Sequence, residues 1–145
     1  MKVLFLVIVG LAMFSGCKKD TDSKPTVSSK METLANKQWV YNEIYTNTTA
    51  HKQGTLVYKR GASNNVENRD NTRAFFWRDG TFDEVGGSII DHTKMAWTFS
   101  NSDSTQYSLS WGTGSTNVMI IKLDALNFEW YNPTQKMSGV MTSRL

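Results

Sequence analysis

The sequence predicts an all-β fold, an antiparallel up-and-down meander that closes into a barrel of eight or nine strands. From residue 37 onward, apolar side chains alternate with polar ones, which is the pattern of strands with one dry face and one wet face. Turn-forming residues recur at roughly ten-residue intervals, and no stretch has the apolar stripe of a helix. Because an open sheet leaves unpaired backbone groups at its edges, we expect the meander to close on itself.

One hairpin has a particularly strong signal. Asp79-Gly80 lies between the apolar residues Phe76 and Phe82. Asp-Gly between alternating segments is typical of a two-residue turn in which both central residues have positive φ. We therefore expect Phe76 and Phe82 to lie on adjacent antiparallel strands.

The other strands show the same alternation. Their apolar residues are Trp39 and Tyr41, Leu56 and Tyr58, Met95, Trp97 and Phe99, Tyr107, Leu109 and Trp111, Met119, Ile121 and Leu123, and Leu126, Phe128 and Trp130. A last weak strand over residues 137–142 is expected to return beside the first strand. Residues 45–71 are predicted to form a long loop, and residues 31–34 a short helical turn that caps the barrel.

Cys17, the one cysteine of the chain, follows a short apolar leader. Lys2 gives a positive start, residues 3–14 are almost continuously hydrophobic, and Ser15-Gly16 ends the run with small residues. The run is shorter than the roughly 20 residues of a membrane-spanning helix, so we interpret it as a signal peptide. Its small-small-Cys ending resembles a bacterial lipobox, which implies cleavage before Cys17 and acylation of that residue. The alternative is a buried or spare thiol.

Three segments follow from this interpretation. We expect a signal peptide over residues 1–16, a lipidated flexible tether over residues 17–35 and a barrel domain over residues 36–145. The tether has too few apolar side chains to offset the entropy of ordering it. Its run of lysines and aspartates is loosely similar to a signal for the surface of the Gram-negative outer membrane, although an ordinary linker would look alike. We expect an envelope protein that acyl chains anchor to the outer membrane.

Several segments resemble the small lipocalin-like domains of bacterial lipoproteins, which are β-barrels of the calycin type. These segments are Trp39 in the first strand, the hairpin over residues 76–82, Trp97 leading into residues 107–109, and residues 121–128. The resemblance covers about residues 36–133, and residues 45–71 depart from the compact pattern of the family. It implies an up-and-down barrel, and it implies no catalytic residues because the family has none to carry over.

Nothing in the sequence supports catalysis, a cofactor or nucleic-acid binding. His51 and His92 are the only histidines, and we expect both in exposed loops, without the spacing of a metal site. No serine occupies a Gly-x-Ser-x-Gly elbow, and the glycine-rich residues 112–115 lack the lysine of a phosphate loop. The net charge of +3 and the scattered Lys and Arg residues argue against a nucleic-acid partner.

The aromatic content points to a function. Five Trp, seven Phe and five Tyr residues are many for a domain of this size. Rings that face inward can fill a core, or they can line a pocket for an apolar or ring-shaped ligand. The residues predicted to face inward and to contact such a ligand are Trp39, Phe76, Phe82, Trp97, Tyr107, Trp111, Ile121, Leu126 and Phe128.

Two functions are compatible with these patterns. In the first, the protein is a tethered, non-catalytic binding module whose barrel admits a small apolar molecule. In the second, its own side chains fill the barrel, and the protein contacts an envelope protein or a glycan. That contact would use residues 45–71 and the outer face of the barrel, where we expect Trp77 and Tyr131. The state of the barrel interior, open or packed, distinguishes the two.

We expect Cys17 to be acylated and residues 1–16 to be absent from the mature protein, and mass spectrometry of the envelope fraction measures both. Cys17→Ala should release or mislocalise the domain without changing its fold, because acyl chains contribute about 0.8 kcal/mol of membrane affinity per buried methylene. An intact leader, or an unmodified Cys17 in soluble protein, would contradict this expectation.

Overall fold

The computed structural model describes residues 27–86 and 95–144. Within these ranges the chain forms one helix and nine strands. They are α1 (Val27–Leu34), β1 (Gln38–Ala50), β2 (Gln53–Lys59), β3 (Arg73–Phe76), β4 (Thr81–Val85), β5 (Met95–Phe99), β6 (Gln106–Trp111), β7 (Gly114–Leu123), β8 (Asn127–Asn132) and β9 (Met137–Arg144).

The strands form one antiparallel sheet that closes into a barrel. Strands β3 to β9 pair in sequence order, and β9 returns to pair with β1 from Gln38↔Arg144 to Thr46↔Met137. The start of β1 also pairs with β3, so β1 and β3 to β9 form a closed eight-stranded barrel. Strand β2 is an additional strand beside the second half of β1. The predicted all-β meander and its closure are confirmed, as is the return of the last strand beside the first.

Residues 45–71 do not form one long loop, so that prediction is wrong. Strand β1 continues to Ala50, the chain turns at His51-Lys52, and β2 returns as far as Lys59. The end of β1 has few apolar residues, but its threonines are β-branched and favour extended backbone. Residues 60–72 alone connect β2 to β3 as a loop.

The hairpin between β3 and β4 pairs Phe76 with Phe82, as predicted, but its turn differs from the predicted one. Among the turn residues only Gly80 has positive φ, at 86°. The Gly80 N–H donates to the Trp77 carbonyl at 3.1 Å, and the Trp77 N–H donates to the Thr81 carbonyl at 2.8 Å. This is the pattern of a three-residue loop closed by a glycine bulge rather than of a two-residue turn.

Helix α1 covers one end of the barrel. Leu34 is fully buried, and the indole Nε1 of Trp39 donates to the Leu34 carbonyl at 2.9 Å. Asn36, at φ 56°, lies just after the helix, and its N–H donates to the Phe76 carbonyl at 2.8 Å. Lys30 Nζ donates to the Asp103 carbonyl at 2.6 Å. The predicted helical cap is therefore present and longer than residues 31–34.

Helix α1 and its buried Leu34 lie within residues 17–35, the segment that the sequence analysis assigned to the tether. The leader and Cys17 lie outside the described residues, so cleavage and acylation stay predictions. His92 lies outside them as well. In the described part of the chain, no helix is long and apolar enough to span a membrane.

An aromatic cluster fills the half of the barrel next to α1. Phe76 lies at its centre, with ring centroids 4.8 Å from Phe82, 5.3 Å from Trp97, 5.5 Å from Tyr107 and 5.8 Å from Phe128. The rings meet edge to face or tilted, as their quadrupoles favour. All five residues are buried, and each contributes roughly 1.5–3 kcal/mol through its burial. The cluster holds five strands of the barrel together without a disulfide.

Candidate functional site

A cavity of about 380 Å³ lies inside the barrel, among the strand ends that are farthest from α1. Four members of the aromatic cluster form its floor: Phe76, Phe82, Tyr107 and Phe128. Its aliphatic and thioether wall consists of Ile44, Ala74, Met95, Leu109, Val118, Met137 and Met141. Trp111, which ends β6 and is 37% exposed, lines the cavity near its opening. Most of the wall is therefore apolar.

Five of the nine residues predicted to contact a ligand line this cavity. They are Phe76, Phe82, Tyr107, Trp111 and Phe128. Trp39 and Trp97 are buried, as expected for inward residues, but they belong to the packed half and do not line the cavity. The expected inward orientation is wrong for Ile121 and Leu126, which are 46% and 57% exposed.

Two local features explain the outward positions of Ile121 and Leu126. On β7, Val118 pairs with the inward-facing Tyr107 and is itself buried. The even-numbered residues in this part of the strand therefore face inward. A bulge interrupts the pairing between Ile120 and Lys122, which leaves Ile121 outside. Leu126 lies in the turn before β8, where its N–H donates to Asp124 Oδ1 at 2.9 Å.

The cavity wall also contains an ion pair. Arg69 Nη1 donates to Glu84 Oε1 at 2.7 Å, and the Tyr41 hydroxyl donates to Glu84 Oε2 at 2.8 Å. Arg69 Nε donates to Glu67 at 3.1 Å, and the Arg69 side chain is 15% exposed. Both oxygens of Glu84 accept a hydrogen bond in this arrangement. None of these contacts is predicted by the sequence, because 43 residues separate Tyr41 from Glu84 and their strands come together only through the pairing of β1 with β3 and of β3 with β4.

The protonation states of this group follow from its burial and charges. Burial raises the pKa of Tyr41 well above its ordinary value, and the neighbouring Glu84 raises it further. Burial lowers the pKa of Arg69, but the carboxylates of Glu84 and Glu67 outweigh this effect, so the pKa of Arg69 is raised. At neutral pH, Tyr41 is therefore an uncharged donor and Arg69 a cation beside a carboxylate.

A second polar group lies where β8 ends in the cavity wall. Asn132 is 2% exposed, and its Nδ2 donates to Thr116 Oγ1 and to Gln135 Oε1, both at 3.0 Å. Its Oδ1 accepts the Gln135 N–H at 2.9 Å. These contacts satisfy a buried amide and fix the turn between β8 and β9. The sequence predicted none of these residues at the site.

His51 is not the exposed loop residue that the sequence predicted. Its side chain is 15% exposed, and Nε2 lies 2.7 Å from Glu129 Oε2 on the outer face of β8. Lys52 Nζ lies 3.2 Å from the same oxygen. Burial raises the pKa of Glu129, but hydrogen bonds from His51 and Lys52 outweigh this, so its pKa is lowered. The three residues hold the tip of the β1–β2 hairpin against the barrel.

The outer face has a small aromatic surface at Trp77, as predicted. Trp77 is 39% exposed and stacks on Phe75 with ring centroids 5.7 Å apart. Its Nε1 donates to Asp83 at 2.9 Å. Tyr131 is only partly exposed, and its hydroxyl donates to the Thr49 carbonyl at 3.2 Å. Trp77 follows β3 and Tyr131 lies on β8, and these strands are not neighbours, so the two residues do not form one continuous surface.

The barrel is compatible with a calycin-like fold. No family model, curated protein or solved structure matches the chain. Within residues 27–86 and 95–144, no three His, Cys, Asp and Glu side chains lie close enough to hold a metal ion. The site is thus defined by its own geometry, an apolar cavity with one internally neutralised ion pair.

We expect Glu84→Gln to lower the free energy of unfolding by about 1–2 kcal/mol, because it removes the charged partner of a largely buried Arg69. Glu67→Gln is the matched control, since Glu67 binds the same guanidinium but is 38% exposed. Its loss should stay below about 1 kcal/mol. Urea unfolding measures both values, and equal losses would contradict a special role for Glu84.

Proposed function

We propose that this protein is a lipid-anchored, lipocalin-like lipoprotein of the Gram-negative envelope that binds a small apolar ligand and catalyses no reaction. The observation that carries the proposal is the cavity above the aromatic cluster. Its volume of about 380 Å³ falls within the roughly 300–1,000 Å³ that is usual for small-molecule sites. An apolar wall with a few fixed polar groups is also the usual composition of such sites.

The division of the barrel into a packed half and an open half supports binding rather than a filled interior. The aromatic cluster supplies a packed floor, and the apolar residues above it line open space. A ligand can then enter without repacking the core. The rigid floor also limits how deeply a ligand can extend, which favours small molecules.

The apolar leader, the lipobox-like ending at Cys17 and the polar segment after it support the membrane anchor. The calycin-like architecture supports the lipocalin-like part of the proposal, together with the segments that resemble that family. A tether of the roughly ten residues from Cys17 to the start of α1 would hold the domain roughly 15–20 Å from the outer membrane.

We propose that the cavity is not catalytic because its ionisable groups form hydrogen bonds with one another. Glu84 accepts one hydrogen bond at each oxygen, from Tyr41 and from Arg69. A general base needs an oxygen that can reach a substrate proton. The arrangement is better suited to fixing the wall of a binding site.

Contact with an envelope protein or a glycan is a second proposed function. The stacked rings of Phe75 and Trp77 favour it, because they offer an exposed aromatic surface on the outer face. This surface lies outside the cavity, so the two functions can be tested separately.

We expect the native protein to bind the neutral fluorescent probe N-phenyl-1-naphthylamine saturably, and Trp111→Ala to weaken that binding by about tenfold because an aromatic contact in the cavity is lost. Trp77→Ala is the matched control. Both tryptophans are similarly exposed, at 37% and 39%, but only Trp111 lines the cavity. A fluorescence titration measures the affinities, and circular dichroism checks the fold.

No saturable binding by the folded native protein would contradict the binding proposal. Equal weakening by Trp111→Ala and Trp77→Ala would also contradict it, because the probe would then bind outside the cavity. In either case the outer surface at Trp77 becomes the stronger candidate.

A further inference from the structure

Tyr107 brings an unpaired hydroxyl into the cavity. The residue is 4% exposed, lies on β6 and lines the cavity beside Phe76 and Phe128. Across residues 27–86 and 95–144, no group forms a hydrogen bond with its hydroxyl. Packing does not enclose the hydroxyl oxygen completely, so it faces open space.

The other buried tyrosines differ from Tyr107. The Tyr41 hydroxyl donates to Glu84, and the Tyr58 hydroxyl donates to Asp70, each at 2.8 Å. Buried polar groups in folded proteins nearly always have a partner, so an unpaired hydroxyl calls for a specific explanation. A phenylalanine at position 107 would fill the same place in the aromatic cluster without that unpaired group. The hydroxyl therefore points to a partner that enters the cavity from outside.

Burial raises the pKa of Tyr107, so the phenol stays protonated and can donate a hydrogen bond. The oxygens of Glu84 already accept hydrogen bonds from Tyr41 and Arg69. The ligand group that best matches Tyr107 is therefore an acceptor, such as a carbonyl oxygen.

The charges of the cavity indicate a neutral ligand. Arg69 and Glu84 are the charged residues among the described lining residues, and they form an ion pair at 2.7 Å. A charged ligand would lose its hydration in an apolar cavity without meeting an unpaired opposite charge. A neutral ligand avoids this cost.

We infer that the cavity binds a neutral, largely apolar molecule with a carbonyl oxygen, and that this oxygen accepts a hydrogen bond from the Tyr107 hydroxyl. The inference rests on the proposed binding function and adds the chemical class of the ligand. The aromatic floor favours a ring-shaped apolar part, which can pack against Phe76 and Phe128.

Two ligands of similar shape test this inference, 2-acetylnaphthalene with a carbonyl and 2-ethylnaphthalene without one. Tyr107→Phe should weaken binding of the ketone by about tenfold, because its oxygen loses a partner in an apolar site. Binding of the hydrocarbon should change less than twofold. Tyr58→Phe, which removes a buried hydroxyl outside the cavity, should change neither affinity. Isothermal titration calorimetry measures all of them.

Each contrary result has a distinct meaning. If Tyr107→Phe leaves ketone binding unchanged, or weakens both ligands equally, the inference is overturned while the binding function stands. If the folded native protein binds neither ligand, the binding function itself is contradicted. If native protein binds 2-naphthoate more tightly than the ketone, the cavity prefers an anion, and the neutral-ligand inference is overturned.

Thermal unfolding gives an independent test that needs no ligand. Tyr107→Phe should leave Tm unchanged or raise it, because it removes a buried hydroxyl without a partner. Tyr58→Phe should lower Tm, because it removes the partner of Asp70. Equal decreases in Tm would mean that the Tyr107 hydroxyl has a partner within the protein, which would overturn the inference.

Discussion

The packing of Phe76 against four other aromatic rings is the interaction on which the rest of the structure depends. Its ring lies within 4.8–5.8 Å of rings from β4, β5, β6 and β8, so one side chain on β3 joins strands from around the barrel. The chain has a single cysteine, so no disulfide within the chain can constrain the domain. The aromatic cluster therefore supplies much of the burial that stabilises the sheet, and its upper surface becomes the floor of the cavity.

Half of the barrel interior stays open because some inward-facing residues have small side chains and a large ring packs against the backbone of the barrel wall. Ala74 and Thr116 leave space where a larger residue would extend into the cavity. Gly139 pairs with Trp130 across β8 and β9, and a Cβ at position 139 would approach the indole to 2.7 Å. Glycine at this position leaves room for the indole of Trp130, which lines the cavity, to lie against the backbone of β9. The cavity thus results from specific residue sizes and not from loose packing.

Strand alternation was sufficient to predict the meander and the inward direction of Tyr107 and Phe128, because polar neighbours mark the outer face of their strands. Closure was predicted separately, from the unpaired backbone groups that an open sheet leaves at its edges. Alternation failed on β7, where both faces are apolar and a bulge at Ile121 is invisible in the sequence. The Arg69–Glu84 pair could not be predicted either, because Arg69 lies in the loop before β3, where no alternation shows which way a side chain points. The sequence therefore identified the floor of the site but not its polar wall.

Methyl NMR of the methionines tests whether a ligand enters the barrel above the aromatic cluster. Met95, Met137 and Met141 line the cavity, whereas Met119 lies on the outer face of β7 and Met31 packs at the end covered by α1. Addition of N-phenyl-1-naphthylamine should shift the methyl signals of the three lining methionines through ring currents and leave those of Met119 and Met31 in place. Shifts confined to Met119, or no shifts at saturating probe, would contradict ligand binding inside the barrel.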